Sequence, residues 1–73
     1  MPLRRYVVEF VVSPDSLTWL VKDGAEVLSR HCRKRDAVRT AARVARANAP
    51  SILTIHRMDG TFEGERRYGS SVR

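Results

Sequence analysis

The residue types with chemical reach are few in this 73-residue chain: one cysteine, Cys32, and two histidines, His31 and His56, are its only soft or borderline metal ligands. A zinc site asks for four ligands in a tetrahedron at recognisable spacing, and three scattered side chains do not supply it. His31 and Cys32 are neighbours on an expected strand and so point to opposite faces. Cysteine–histidine catalysis also needs an orienting group and an oxyanion hole around a concave pocket, for which a chain this short has little room. Cys32 is therefore either a small buried hydrophobe or a thiol whose pKa Arg33, Lys34 and Arg35 would lower. Glu63 and Glu65 fall on one face of an expected strand, where a solvated charged edge accounts for them better than paired acid–base work. Gly24, Gly60, Gly64 and Gly69 sit at turns or strand ends, and no phosphate-cradling glycine loop occurs. No catalytic residue, metal ligand, cofactor or small-molecule substrate is assigned, and the expectation is a non-enzyme.

One constellation remains, and it is made of arginine. Fourteen Lys+Arg against eight Asp+Glu give a net charge of +6 and a pI near 10.7, a balance that attracts phosphate backbones without regard to sequence. Arg35, Arg39, Arg43 and Arg46 fall within an arc of about 80° at helical periodicity. Arg33 and Lys34 flank this row, and Asp36 is the only acid among the helical residues, so pairing along the helix is scarce. A second group, Arg57, Arg66 and Arg67, stands near Tyr68, a ring able to stack on a base. These seven arginines are the candidate nucleic-acid contacts; the alternative is a solvated face of an arginine-rich chain. Neither a helix-turn-helix pair nor a run of aromatics accompanies them, so sequence-specific readout is not expected. Trp19 and Phe10 read as core rather than as recognition anchors.

The elements that must position these residues follow from turn chemistry and periodicity. Tyr6–Val12 is β-branched and aromatic throughout and predicts a first strand, with Ser13-Pro14-Asp15-Ser16 as the turn behind it. Leu17–Lys22 predicts a second strand, with Leu17, Trp19 and Val21 on one side of the pleat. Asp23-Gly24 predicts a type I′ hairpin turn into a third strand, Ala25–His31. From Lys34 to Ala49 the period becomes helical: Ala37, Val38, Ala41, Ala42, Val44, Ala45 and Ala49 occupy an arc of about 160°. Cys32 or Arg33 stands where a capping Ser, Thr or Asp is usual, and Pro50 ends the helix. Ser51–Arg57 predicts a fourth strand, Asp59-Gly60 a second hairpin, and Thr61–Tyr68 a fifth strand weakened by Gly64. The expected class is α+β: an antiparallel sheet in the order βββ-α-ββ with one helix packed on one face.

At this length residues 1–73 make one small domain, since a second core would need far more chain, and a domain so small is marginal alone. No apolar run is long enough to cross a membrane or to serve as a secretory core, and the helix carries alanine where a membrane-surface helix carries bulky residues. A lone cysteine suits a reducing compartment, so a cytoplasmic location is expected. The partners considered are nucleic acid and, as the alternative, protein: an accessory protein, of phage origin in one version, that forms a homodimer or binds a host protein through a strand edge.

The residues Trp19-Leu20-Val21-Lys22, Gly24, Asp36-Ala37, Ala41-Ala42-Arg43, Ala45, Ile55-His56, Asp59-Gly60 and Tyr68-Gly69 together resemble the pattern of the domain of unknown function 2188 family, small proteins of bacteria and their phages. The resemblance spans most of the chain and implies a compact sheet-plus-helix domain, with no established activity attached. The chain departs from that pattern in two places. Arg33 stands where the family usually has Thr, which removes a helix cap. An N-terminal strand extension, Arg4–Glu9, offers to lengthen an edge strand available for pairing.

Overall fold

The computed structural model of the protein describes residues 3–69. Five strands and one helix follow the expected order: β1 (Arg4–Ser13), β2 (Ser16–Asp23), β3 (Glu26–His31), α1 (Lys34–Ala47), β4 (Ser51–His56) and β5 (Phe62–Tyr68). They form one sheet in the spatial order β3-β2-β1-β4-β5. Three neighbouring pairs are antiparallel, as expected, but β1 and β4 run parallel, with Arg4 opposite Ser51 and Val8 opposite Ile55. The cause is the helix. Two hairpins leave β3 running in the direction of β1, and α1 carries the chain back to the starting end, so β4 must set out the same way. This places β1 at the centre of the sheet and corrects the idea that its N-terminal half is a free edge: Arg4–Val8 pairs with β4, Tyr6–Val8 is bonded on both sides, and the edges are β3 and β5.

The turns show how local chemistry sets register. Ser13 pairs with Ser16 around Pro14-Asp15, and the Ser13 hydroxyl accepts from the Ser16 amide at 3.2 Å. Between β2 and β3, Asp23 pairs with Glu26, so the loop residues are Gly24-Ala25 and not Asp23-Gly24. Gly24 has φ 62° while no other residue type has positive φ, which is the type II′ pattern rather than the expected I′. The β4–β5 hairpin closes through a three-residue loop in which Gly60 at φ 90° donates to the Arg57 carbonyl at 2.9 Å.

The helix lies on one face of the sheet and meets it through alanine. Ala37, Ala41 and Ala45, one turn apart, are fully buried, with Ala42 beside them. Tyr6 and Val8 of β1, Trp19 and Val21 of β2, and Leu53 and Ile55 of β4 complete this core, with Phe10, Val38, Val44 and Tyr68 packed around it. Small residues let the backbone of α1 approach closely, and the large rings and aliphatic chains of the sheet supply most of the buried area. As the sequence indicates, Arg33 at the N-cap offers no side-chain hydrogen bond. The other end is well satisfied: the Asn48 side chain donates to the Val44 carbonyl at 2.8 Å, and the buried Ser51 hydroxyl donates to the Ala45 carbonyl at 2.6 Å. Ser51 thus ties the first residue of β4 to the end of the helix.

The chain then folds back on this junction. Gly69, just past β5, has φ 68°, and a methyl group built on it would overlap the Ala49 side chain. Position 69 therefore tolerates no side chain without moving the segment between helix and β4. Gly69→Ala is expected to cost about 1–3 kcal/mol from strained backbone and overpacking together, read as a lowered urea midpoint at unchanged slope. An unchanged midpoint would show that the junction gives way freely.

Candidate nucleic-acid interface

Four of the seven candidate arginines are brought together as the sequence suggests. Arg35, Arg39, Arg43 and Arg46 are all exposed on α1, on the side turned away from its buried alanines. Their positions span about 16 Å of helix axis, at a rise of about 1.5 Å per residue. Arg39 and Arg43, at the centre, make no ion pair among the described residues. At the two ends the cations have company: Arg35 lies 3.9 Å from the Asp36 carboxylate, and the Arg46 guanidinium sits 5.6 Å from the centre of the Tyr68 ring.

The second group divides. Arg66 is in register with Leu53, whose side chain is in the helix-side core, so Arg66 shares the sheet face on which α1 lies. Arg67 is in register with Ile52 on the opposite face and bonds Glu65 at 3.3 Å. Arg57 is used by its own hairpin, donating to the Phe62 carbonyl at 3.2 Å and to the Thr61 hydroxyl. Tyr68 is half-buried against the core beneath Arg46, so the ring expected to stack on a base already holds a cation.

Lys34 leaves the row as well. Its ammonium lies 5.7 Å from the centre of the Trp19 ring and bonds Glu63. Glu63 can reach it because a register shift between Ile55 and His56 drops that residue from the β4–β5 pairing. The two glutamates therefore part company: Glu65, in register with Thr54, serves the far face, and Glu63 serves the helix side. The hydrogen bond from Lys34, with the charges of Lys34, Arg57 and Arg66 nearby, holds the Glu63 carboxyl below the usual carboxylate range. A carboxyl whose pKa is lowered on folding stabilises the fold above its unfolded value and loses that contribution as pH falls through the folded one. Acidification from neutral pH to about pH 3 is expected to lower the melting temperature more in the native chain than in Glu63→Gln; equal losses would show that Glu63 is uncoupled from folding. Asp59 is lowered too, by hydrogen bonds from the Thr61 hydroxyl and amide, and titrates within its own loop.

The remaining sequence candidates are dispersed. Cys32 is exposed, which overturns its reading as a buried hydrophobe, and His31 bonds the Ser29 hydroxyl at 2.9 Å. His56 lies two strands away from β2, its Nδ1 3.3 Å from the Gly60 carbonyl oxygen. Among the described residues no three His, Cys, Asp or Glu side chains gather as a metal site would require. Trp19 is in the core, its ring 4.9 Å from that of Phe10 at 51°. Among the described residues no helix is long and apolar enough to cross a membrane.

The sheet face away from α1 has a different character. Glu9 and Lys22 pair across it at 3.2 Å, and Arg67 with Glu65 does the same nearer the β5 edge. Ile52, in register between Arg5 and Arg67, is buried there, as it would be under two long arginine stems. Arg5 and Arg30 are exposed on this face, but their neighbours include both acids and apolar groups, so no uniform cationic surface forms.

What the fold and the charge distribution define is a small two-layer α+β domain whose single helix presents a row of arginines outward. The chain belongs to the family DUF2188, described as an uncharacterised protein conserved in bacteria, whose model matches residues 10–68. No curated protein and no solved structure matches it. Two structural facts concern residues that flank the match. Gly69, one residue past the match, fills a space closed to a side chain, and the strand extension before residue 10 is the centre of the sheet.

Proposed function

We propose that the protein is a non-catalytic binding module that associates with nucleic acid through the outward arginines of α1, without reading sequence. The observation that carries this is the exposure of Arg39 and Arg43 at the middle of the row with no ion-paired carboxylate among the described residues. Structural need does not explain the centre of the row: four like charges at helical spacing repel one another, and Arg39 and Arg43 lie on the side of the helix away from the core. Arg66 extends the cationic side onto β5, while Arg57 and Arg67, engaged elsewhere, are secondary contacts at most.

The mechanism is counterion release. Each guanidinium that replaces a condensed cation on a phosphate contributes about −0.9 to the slope of log affinity against log salt on duplex DNA, so four contacts give a slope near −3.6. Anisotropy titrations of a labelled duplex between about 50 and 200 mM salt test this. Dissociation constants in the micromolar range at the lower end, and a slope between about −3 and −4, are expected. No binding at the lowest salt would remove the proposal.

A further inference from the structure

We infer that the nucleic acid taken by this row is a duplex, held along the backbone of one strand; the inference rests on the polyanion reading above and specifies its ligand. Arg35, Arg39 and Arg43 follow one another at intervals of four residues, or about 6 Å of axial rise, comparable to the step between successive phosphates of one strand. Arg46 continues the line. The row is single, so it tracks one backbone rather than bridging two. Its length of about 16 Å therefore covers about three such steps, one arginine to each of four phosphates.

Single-strand binding needs a further part that this side of the molecule lacks. Proteins that hold unpaired nucleic acid set aromatic rings beside their cations, and each ring stacked on a base contributes about 1–3 kcal/mol. Here every ring on the helix side is taken. Tyr6 and Trp19 are buried, Phe10 packs on Trp19, and Tyr68 lies under Arg46. The exposed ring of Phe62 belongs to the other face, in register with His56. With cations and no stacking platform, affinity follows phosphate charge density, which is highest on a duplex. Bases are not read, because guanidiniums laid along the phosphates of one strand position the protein without specifying sequence.

The test is competition against a labelled short duplex at low salt by three unlabelled strands of equal phosphate number: two duplexes of unrelated sequence and a single-stranded oligothymidine. The two duplexes are expected to compete equally, and the single strand several-fold more weakly. A single strand that competes as well as the duplexes, or better, overturns the inference. If that competition is also lost in the doubly reversed Arg39→Glu/Arg43→Glu protein, the duplex assignment falls while the arginine row stands. If the labelled duplex is not bound at all, the row itself falls, and the duplex assignment with it.

Discussion

Trp19→Ala is expected to leave most of the protein unfolded at room temperature. Trp19 sits in the layer between α1 and the sheet at the N-terminal end of the helix, 5% exposed, against Phe10 at 4.9 Å and under the Lys34 ammonium. Truncating a buried aromatic costs about 3–5 kcal/mol, since the transfer energy is lost and the cavity only partly collapses. A single core in a domain of this size rarely supplies more than about 3–5 kcal/mol in total. The two magnitudes meet, so the substitution removes nearly the whole margin. Neighbouring alanines cannot refill the space: Ala37, Ala41 and Ala45 are already buried and carry only a methyl group, which has no rotamer to swing inward. Circular dichroism and urea titration read the outcome, with Trp19→Phe expected to stay folded at a reduced midpoint. A Trp19→Ala protein with a native spectrum and an unchanged midpoint would mean that the core lies elsewhere.

The second large effect is on binding. Reversing the two central cations, Arg39→Glu and Arg43→Glu, is expected to weaken duplex binding more than tenfold at low salt and to flatten the salt slope by about 1.8, the share of two phosphate contacts. Between about 50 and 200 mM salt, a slope near −3.6 costs the native chain roughly two orders of magnitude in affinity, whereas the variant would lose about one. The fold should survive, because both side chains are exposed and make no ion pair among the described residues. Reversing Arg57 and Arg67 instead is the informative control. Those side chains are held by Phe62 and Thr61 and by Glu65, so a smaller effect on binding is expected from them. Equal losses from both pairs would point to diffuse attraction by net charge and not to the helix row.

Local signals carry much of this architecture. The β-branched run from Tyr6, the alternation around Trp19 and the small-residue arc from Ala37 to Ala45 each describe an element whose own periodicity decides its burial. The outward placement of Arg35, Arg39, Arg43 and Arg46 follows from that same arc, since a helix that buries one side must expose the other. Non-local relations leave no such trace. Nothing near Arg4 announces that it will lie beside Ser51, and the parallel pair β1–β4 exists only because the helix returns the chain to the starting end of the sheet. The capture of Tyr68 by Arg46, and of Lys34 by Glu63, joins residues more than twenty positions apart. The bulge that frees Glu63 depends on how β4 and β5 settle their register, and strand alternation alone places Glu63 and Glu65 together. At the β2–β3 hairpin the Asp-Gly pair marks the turn correctly but not its phase, which the pairing of Asp23 with Glu26 moves forward by one residue.

The sheet's second face matters because it offers the main competing surface. Lys22 is matched by Glu9 and Arg67 by Glu65, which leaves Arg5 and Arg30 well apart on different strands. Amide chemical-shift mapping during titration with a short duplex at low salt compares the two faces in one experiment on the native chain. Concentration of the shifts on Lys34–Ala47 and on β5 around Arg66, with β2 and β3 little changed, is the result expected of a helix ridge laid along a phosphate backbone. Shifts gathered instead on Arg5, Lys22, Arg30 and Arg67 would place the ligand on the opposite face and contradict the assignment.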